Sequence, residues 1–477
     1  MEEIRHNPRV QPFGCLAVVA SFGIATAGLM AQPPAAPTAF THVNVVDVID
    51  GEIQADRTVF VRDRRIDRIE ATGASTLPAN AVIIDGSGKF MIPGLWDTHV
   101  HTRYDGIDHL RLLIAHGITG ARDLGGGWEH LGRINQWIGE INAGRRIGPR
   151  IVSAGVVLDG PRSPWSHAAL ISTPEEGRAA VRRLKAENAA YVKIYVRLSR
   201  PSFEGIVDEA RRQQLPVGGH VVSSVGVLDG ITLGQSAVEH AHDLLLPVSN
   251  TEEQFTEMIS EGRPVRAPEI LRTFSEQKAK RLAEHFRLYQ ARLVPTLALY
   301  ANMLGVSANS ADAVNSPSLR FVPPAYIREW RSAEPLPTAI AQARLDGAMR
   351  IMKHMIDARV DILAGTDVVK PFFVPGESLH DELDLLVKAG LTPVQALRAA
   401  TIAPANYLRL KDSGAIAAGQ RADVVLLDAN PLVDINHTRR IAGVMAEGAY
   451  YSRSSLDAML EDVAREAASW KGTPTKQ

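Results

Sequence analysis

The predicted fold depends most on one stretch of the chain, Met91-Ile92-Pro93-Gly94-Leu95-Trp96-Asp97-Thr98-His99-Val100-His101. This apolar, strand-like run ends in two histidines one residue apart. On a β-strand, side chains two residues apart project from the same face, so both rings would point the same way where a loop begins. Two imidazoles on one face suit a divalent metal ion. In a chain with 15 histidines among 477 residues, about half a His-x-His pair is expected by chance. The alternative interpretation is therefore that these are two surface or packed histidines without a metal.

Composition and charge exclude several classes of partner. The 477 residues carry a net charge of -1, and their hydrophobic content of 45% is that of an ordinary globular protein. This length suits one large domain with a smaller one, or roughly two to three ordinary domains. The charge balance argues against a nucleic acid or an anionic membrane surface as partner. The single cysteine, Cys15, leaves histidine, carboxylate or a modified side chain to hold any metal in the body of the protein.

Residues 1–35 are typical of an export signal followed by a linker. Arg5 and Arg9 precede an apolar or small run from Phe13 to Ala31, and Ala25-Thr26-Ala27 is a candidate cleavage site. We therefore expect a periplasmic or secreted protein with no stable membrane association after cleavage. Because the run is close to the length that spans a bilayer, an uncleaved anchor is the alternative.

The two ends of the chain share a β-type pattern. Short strand-like runs separated by Gly- and Pro-containing turns occupy residues 36–93 and again 408–455. Neither segment has enough strands for a stable sandwich, so we predict that the two pair into one small composite β-sandwich domain. Residues 456–477 are expected to form a C-terminal helix and tail, with the helical period already present from Arg453.

Between these segments, in residues 94–407, short apolar strand-like runs alternate with stretches that have a helical pattern. With the strand that carries His99, eight strand-like runs are found, the others at residues 116–122, 150–153, 191–195, 217–220, 236–240, 294–297 and 362–367. This rhythm predicts an α/β fold of the (β/α)₈ TIM-barrel type, with an open doubly wound sheet as the alternative. Residues from about 251 to 341 interrupt the rhythm and predict an insertion, either a lid over the mouth or an oligomer contact.

Polar residues close several of these strands. Lys193, His220, His240 and Asp367 fall at the predicted ends of strands 4, 5, 6 and 8. Such ends converge in a barrel, and burying polar side chains there is costly unless function requires it. Each has an ordinary alternative: a solvated lysine, packed histidines, and a helix N-cap for the aspartate. His240 rather than His242 is the expected ligand of that pair, because His242, two residues further on, would lie past the rim.

These motifs resemble the amidohydrolase superfamily, in its imidazolonepropionase-like or prolidase-like (Xaa-Pro dipeptidase-like) branch. The resemblance spans about residues 40–455 and rests on six motifs in order: Pro-Gly-Leu-Trp-Asp-Thr-His-Val-His, Val-Lys-Ile-Tyr, Gly-Gly-His, Val-Glu-His, Ala-Gly-Thr-Asp and Gly-Gln-Arg-Ala-Asp-Val-Val-Leu-Leu. It implies two divalent metal ions, with zinc expected. The implied ligands are His99, His101 and Asp367 on the first ion, His220 and His240 on the second, and a carboxylated Lys193 between them.

The resemblance also implies a reaction. A binuclear metal-dependent amidohydrolase would cleave a C–N amide bond in a dipeptide, such as an Xaa-Pro dipeptide, or in an N-acyl amino acid. Metal-bridged hydroxide would attack the carbonyl, and the catalytic residue Asp367 would pass the water proton to the departing nitrogen. Two alternatives stay open: the same site could hydrolyse another amide, a carbamate, a lactone or an ester, including a toxin or xenobiotic, or the barrel could be a non-catalytic scaffold. The bridging lysine argues against a true imidazolonepropionase, whose site holds a single metal.

Predictions on the substrate side concern two further residues. Tyr195 shares a strand face with Lys193, and in prolidase-like relatives a tyrosine there can meet a substrate carboxylate; a packed aromatic is the alternative. His380 matches a recurrent motif of this branch and is predicted to lie near the substrate, or else merely to open a helix. Arg122 and Asp123, at the end of strand 2, are predicted to support the metal ligands. The resemblance also implies a homo-oligomer acting on a small-molecule amide.

Overall fold

The computed structural model describes residues 36–474, so the predicted export signal in residues 1–35 lies outside the described residues. In chain order the strands are β1 (Thr38–Val46), β2 (Ile53–Arg62), β3 (Arg65–Ala71), β4 (Val82–Asp85), β5 (Phe90–Pro93), β6 (Leu95–Val100), β7 (Ile118–Asp123), β8 (Arg150–Ser153), β9 (Val157–Asp159), β10 (Ala169–Leu170), β11 (Val192–Ile194), β12 (Val217–Gly219), β13 (Gln235–Glu239), β14 (Arg292–Val294), β15 (Val424–Leu427), β16 (Ile441–Ala446) and β17 (Ala449–Ser452).

Helices separate most of these strands. The α-helices are α1 (His109–Ala115), α2 (Trp128–Asn142), α3 (Pro174–Ala186), α4 (Arg200–Arg212), α5 (Val227–Leu233), α6 (Glu252–Ser260), α7 (Ala267–Arg272), α8 (Glu276–Leu288), α9 (Leu297–Ser307), α10 (Ala311–Val314), α11 (Pro324–Ser332), α12 (Thr338–Asp357), α13 (Glu377–Lys388), α14 (Pro393–Ala399), α15 (Ile402–Tyr407) and α16 (Arg453–Ser469). Short 3₁₀ helices occupy Ala241–Leu244, Pro317–Phe321 and Ile435–Arg439. None of the helices between residues 36 and 474 combines the length and apolar character needed to cross a bilayer.

The first and last strands of the chain share one eight-stranded sheet. Its order is β17-β16-β15-β5-β1-β2-β3, with β4 paired to β1. β15 runs antiparallel to β5, with Val425 opposite Ile92, and this pair joins the two ends of the chain. Alternating side chains such as Phe40, Val59 and Met91 bury one face in a common cluster. The predicted pairing of the terminal segments is therefore present, but because all eight strands lie in a single sheet, a two-layered sandwich is not confirmed.

The middle of the chain forms parallel sheets. One contains β6-β7-β8 and the other β10-β9-β11-β12-β13-β14. Strands of parallel sheets are usually covered on both faces, which explains why these segments are short and apolar. Residues 362–367, predicted as the eighth strand, are not a regular strand: isolated parallel bridges join Ile362 to Leu293 and Val368 to Val100 instead. The α/β class with parallel sheets is confirmed, whereas a closed eight-stranded barrel is not.

The region predicted as an insertion is divided by a strand. Residues 251–341 contain α6 to α11 and the start of α12, but β14 lies among them and pairs with β13 in the parallel sheet. The extra helices therefore come partly before and partly after this strand along the chain. α9 begins directly after β14, and the backbone amide of Ala298 in its first turn donates to an oxygen of the buried Glu382 carboxyl group at 2.7 Å. Glu382 on α13 thus satisfies one of the free amides at the start of α9.

The structure has a helix, α16, in the segment where a C-terminal helix was predicted. Its apolar side chains, among them Leu456 and Val463, are buried in the largest core cluster of the protein. The stacked rings of Trp470 and Tyr326, 5.7 Å apart, anchor the chain beyond the end of this helix. The carboxyl-terminal segment is therefore part of the packed body of the protein rather than an appended tail.

Candidate metal centre

Six side chains predicted from strand ends line one small cavity of about 50 Å³. They are His99 near the end of β6, His101 just after β6, Lys193 in β11, His220 after β12, His240 after β13, and Asp367 beside the bridge from Val368 to β6. The carboxyl ends of parallel strands meet at one edge of a sheet, which brings these distant residues together. The structure thus assembles every residue that was predicted to hold metal.

Two glycines let the backbone approach this centre closely. Gly219, just before His220, has φ of 141°, and a Cβ there would lie 2.1 Å from a carbonyl oxygen of β11. At Gly365, two residues before Asp367, a Cβ would lie 2.9 Å from the Cβ of His99. Because a larger residue would displace one of the two elements, these glycines fix where His220 and Asp367 stand.

Asp367 stands between the first two histidines. Its Oδ1 lies 3.3 Å from Nε2 of His99 and 3.2 Å from Nε2 of His101. All three potential ligand atoms lie within 4.8 Å of one another, and the three residues are buried. Nε2 of His99 makes no hydrogen bond within residues 36–474, which fits an atom reserved for a metal. Two imidazoles and a carboxylate form a donor set that suits zinc or a similar divalent ion.

His220 and His240 form the facing half of the centre. Their ring centroids are 4.6 Å apart, and the ring of His240 lies 4.9 Å from that of His99. Nδ1 of His220 lies 2.9 Å from the Asp243 carboxylate, and Nδ1 of His240 lies 3.0 Å from the Thr296 hydroxyl. Because an outer partner occupies Nδ1 in each ring, Nε2 is the nitrogen left to bind a metal.

Buried partners also hold the first histidine pair. Nδ1 of His99 lies 3.0 Å from the carboxylate of Glu239, and Nδ1 of His101 lies 3.0 Å from the carbonyl oxygen of Gly125. Glu239 also accepts a hydrogen bond from the Arg122 guanidinium at 2.7 Å, and both side chains of this ion pair are fully buried. Burial opposes the charge of Glu239, but Arg122 and His99 outweigh it and lower the pKa of Glu239 to about 2.

Lys193 is the unusual member of the group. It is 1% exposed, and its Nζ makes no hydrogen bond to any of the residues that the structure describes. Burial lowers the pKa of Lys193 to about 8, against the opposing effect of Glu239 and Asp367. A buried ammonium without a hydrogen-bond partner is costly, whereas an uncharged amine is the form that reacts with carbon dioxide. A carbamate formed at this nitrogen would replace the cationic ammonium by an anionic oxygen donor.

The remaining predicted ligands are in protonation states that bind cations. Burial lowers the pKa of His101 to about 4, and it lowers the pKa of His220 and of His240 below the ordinary histidine value. Neutral imidazole is the form that binds a metal. Burial alone would raise the pKa of Asp367, but Lys370, whose Nζ is 3.4 Å away, and the two neighbouring histidines lower it well below its usual range. The donor set present therefore fits divalent metal ions.

Comparison with known proteins agrees with this arrangement. Residues 90–450, more than half of the chain, match the amidohydrolase family. The chain belongs to this family. The amidohydrolase is 26% identical over 404 residues to the ochratoxinase of Aspergillus niger, a match that covers 72% of this chain and 71% of that protein.

Solved structures extend the comparison to the fold. Bottromycin amidohydrolase superposes on the amidohydrolase with a TM-score of 0.70 at 26% identity, covering 90% of each chain. An Xaa-Pro dipeptidase with methionine bound in its active site superposes with a TM-score of 0.64 and covers 87% of this chain and 100% of its own, but at 18% identity it shows the fold alone. Family membership and these hydrolase relatives confirm that the chain is an enzyme, and they give no support to a non-catalytic scaffold.

A larger cavity opens beside the predicted metal ligands of this amidohydrolase. It has a volume of about 380 Å³, and His220, His240 and Asp367 line one side of it. Residues of α9, α11, α12 and the segment 333–336 line the other side. This volume is within the range of small-molecule sites in proteins. Because Lys370 and these three ligands line both cavities, a molecule in the larger one would reach the candidate centre.

Tyr195 lines the small cavity but not the larger one. Its ring stands edge-on to that of His220, with the ring centroids 4.2 Å apart. The ring centroid of Trp165 lies 6.2 Å from that of Tyr195. Burial raises the pKa of Tyr195 to about 12, so its hydroxyl keeps its proton and can donate a hydrogen bond. Contact between Tyr195 and a substrate stays a prediction.

His380 is not brought to either cavity. It lies on α13, fully buried, with Nδ1 2.9 Å from the Thr438 hydroxyl and Nε2 3.1 Å from the carbonyl oxygen of His116. Both ring nitrogens therefore serve the packing of α13 against neighbouring segments. The structure does not place His380 where substrate contact was predicted, and the ordinary alternative of a helical residue describes it better.

Arg122 and Asp123 support the centre, but each through another residue. Arg122 reaches His99 through Glu239. Asp123 accepts hydrogen bonds at 3.0 Å and 2.6 Å from the backbone amide and hydroxyl of Thr102, the residue after His101. Both residues therefore hold the strand ends rather than a metal.

Sequence reasoning missed three outer partners of the histidines, namely Glu239, Asp243 and Thr296. Glu239 did carry a signal, because an acidic residue within an apolar strand is costly to bury unless it is paired. Asp243 and Thr296 carried none, since they lie in a 3₁₀ helix and a loop whose positions depend on the folded chain.

Proposed function

We propose that this enzyme is a binuclear metal-dependent amidohydrolase that cleaves the C–N amide bond of a dipeptide, Xaa-Pro dipeptides included, or of an N-acyl amino acid. The observation that carries the proposal is the group of four histidines and Asp367 that lines one small cavity with Lys193, whose Nζ has no hydrogen-bond partner within residues 36–474. The ochratoxinase and bottromycin amidohydrolase relatives support it. Closure of the parallel sheets into a (β/α)₈ barrel belongs to the same proposal, because closure would bring the strand ends to one point.

Two divalent ions, expected to be zinc, would be held by the side chains described above. His99, His101 and Asp367 would bind one ion, His220 and His240 the other, and a carboxylated Lys193 both. When bound, the ions would supply Lewis acidity at the scissile carbonyl and acidify a water toward a pKa of roughly 7. The protein contributes the fixed ring orientations, through Glu239, Asp243 and Thr296 among others.

Asp367 would move the proton. Its lowered pKa keeps it a carboxylate at neutral pH, able to accept a proton at an oxygen that faces the cavity. It would then give that proton to the departing nitrogen, so that an acid and an amine are released. Trp165 and Tyr195 form aromatic walls of the small cavity and limit the water that reaches this exchange.

The test compares metal content and turnover in three proteins purified with zinc and bicarbonate. These are the wild type, Lys193→Ala, and the control Lys185→Ala, which changes an exposed lysine of α3. The substrates are Xaa-Pro dipeptides and the N-acetyl forms of phenylalanine, leucine and proline. We expect about two metals per chain and turnover in the wild type and control, with both lost or strongly reduced in Lys193→Ala.

Carbon-13 NMR after growth on labelled bicarbonate gives a second readout, a carbamate signal present in the wild type and absent from Lys193→Ala. A wild type that binds no metal would contradict the proposed mechanism. Metal binding without turnover on any substrate would retain the centre and discard the proposed substrate class.

Export and assembly are further proposals. We propose that residues 1–35 direct export and are then removed, which amino-terminal sequencing of the mature protein would test. We also propose a homo-oligomer, and sedimentation of a monomer at micromolar concentration would contradict it.

A further inference from the structure

Arg344 lies at the wall of the larger cavity and has no acidic partner among the residues that the structure describes. It lies half-buried on α12, and its Nη1 is 3.9 Å from the sulfur of Met303, a weak acceptor. Among residues 36–474, no carboxylate lies within ion-pair distance of its guanidinium. By contrast, Arg350 on the same helix pairs with Glu276. Because a partly buried charge is costly unless it is paired, the position of Arg344 calls for an anion.

The surroundings of Arg344 place that anion near the candidate centre. His242 follows His240, a predicted metal ligand, by two residues. His242 and Arg344 both line the cavity that the metal ligands border. Nδ1 of His242 lies 2.8 Å from the Tyr300 hydroxyl, so a hydrogen bond fixes the ring of His242 on this side of the cavity.

Most of the remaining wall of the cavity is apolar, with Asn302 and Ser307 of α9 as polar exceptions. Leu299, Met303 and Val306 come from α9, Trp330 comes from α11, and Leu336 lies in the segment before α12. Such a surface suits an aliphatic or aromatic side chain. A molecule that fills the cavity would therefore meet the metal ligands on one side, an apolar wall, and the unpaired guanidinium.

The other charges of the cavity are already engaged or lie apart. Lys370 is 3.4 Å from Asp367, so its charge is balanced within the centre. Glu334 is exposed at the cavity mouth and is not within ion-pair distance of Arg344. The guanidinium of Arg344 is thus the positive charge of this cavity that is available to a ligand. Its planar shape can donate two parallel hydrogen bonds to the two oxygens of a carboxylate.

We propose that Arg344 binds the free carboxylate of the substrate, and that the enzyme selects N-acyl amino acids and dipeptides whose carboxyl-terminal residue is apolar. The proposal rests on the amide hydrolysis proposed above and names its substrate more closely. In this arrangement the apolar wall holds the side chain of the carboxyl-terminal residue, while the acyl carbonyl faces the ligands.

Binding is tested first, without turnover. The probes are 3-phenylpropanoate and its neutral counterpart 3-phenylpropanol, titrated calorimetrically into the zinc-loaded enzyme. We expect the wild type to prefer the anion by about 10- to 100-fold, the range for a hydrogen-bonded ion pair, and Arg344→Met to lose at least most of that preference. Arg344→Lys should recover part of it, and the control Arg350→Met on the same helix should keep it all.

Turnover is tested with N-acetyl-phenylalanine, N-acetyl-leucine and N-acetyl-proline beside their carboxyl-terminal amides. The measured quantity is the ratio of kcat/KM for the free acid to kcat/KM for the amide. Arg344→Met should lower this ratio at least tenfold, mainly through a higher KM for the acid, because the carboxylate is held equally before and during reaction. A lost fold would instead lower kcat for both forms together.

The outcomes separate this proposal from the broader one. Turnover of acid and amide at equal rates by the wild type would overturn the role of Arg344 and leave amide hydrolysis standing. Anion binding that depends on Arg344, without turnover of any substrate, would support the site and contradict amide hydrolysis. If Glu334→Gln strengthened anion binding as much as Arg344→Met weakened it, Glu334 would be the partner of Arg344 and the proposal would be wrong.

Discussion

Replacement of Glu239 by glutamine is expected to have two effects at once: it lowers the stability of the enzyme, and it loosens the orientation of the His99 ring. One carboxylate oxygen of Glu239 accepts a hydrogen bond from Arg122 at 2.7 Å, and the other lies 3.0 Å from Nδ1 of His99. Glutamine keeps the size of the side chain but removes the counter-charge from a fully buried guanidinium. The rings of Tyr191 and Tyr407, 4.8 Å and 5.6 Å from that guanidinium, replace only part of the lost attraction.

The size of the effect follows from this burial. Removing one partner of a buried ion pair costs about 3–5 kcal/mol, because the remaining charge is left uncompensated. An unfolding entropy of about 2.1 cal/mol/K per residue gives about 0.9 kcal/mol per kelvin over roughly 440 residues. The melting temperature should therefore fall by about 3–5 °C. Zinc affinity should fall by about 10- to 100-fold, since His99 loses its anionic outer partner.

Calorimetric melting and zinc titration against a chelator measure both effects. The matched control is Glu204→Gln, because Glu204 pairs with Arg200 on an exposed helix surface, where an ion pair contributes at most about 1 kcal/mol. Equal melting temperatures for Glu239→Gln and Glu204→Gln would refute the stabilising role of the buried pair. An unchanged zinc affinity would show that Glu239 does not orient His99.

Two further predictions concern α13. Burial raises the pKa of Glu382 from 4.5 to about 8, so between these pH values the folded enzyme retains a proton that the unfolded chain releases. The contribution of Glu382 to the free energy of unfolding is therefore fully present below about pH 4.5 and is lost as the pH rises toward 8. Glu382→Gln stays neutral and can still accept from Ala298, so its melting temperature should differ less between pH 5 and pH 8 than that of the wild type, and an equal difference would contradict this assignment. His380→Gln should lower the melting temperature by disturbing the contacts with Thr438 and His116 while leaving KM for the best substrate unchanged; a raised KM would restore a role at the substrate.

The candidate centre was predictable because its signal is local. A lysine or histidine that closes an apolar strand is hard to explain by packing, since burial of an unpaired polar group is costly. Lys193 is the clearest case: the sequence shows a basic residue within the run Tyr191–Tyr195, and the structure shows its Nζ buried without a hydrogen bond. Parallel strands then bring such ends together whatever their separation in the chain.

Features that depend on distant packing were not predictable. The pairing of Arg122 with Glu239 joins residues on β7 and β13, and no local pattern specifies it. Arg344 is one of many helical arginines in the sequence and differs from them only through the cavity that α9 and α12 enclose. A motif around His380 likewise cannot say which neighbour its helix faces. Strand pairing at the chain ends was predictable, whereas the number of layers depended on how β5 joins β15.

That last pairing bears on how the protein is made. Phe90 of β5 lies opposite Leu427 of β15, so β5 cannot pair with β15 until nearly the whole chain has been synthesised. At about 5–20 residues per second, translation of the intervening segment takes roughly 20–70 s. During that time the edge of β5, with apolar Met91 and Ile92, is open to other strands. The enzyme should therefore depend on chaperones during synthesis, and variants that slow the pairing of β5 with β15 should lower the soluble yield even where the finished fold is unchanged.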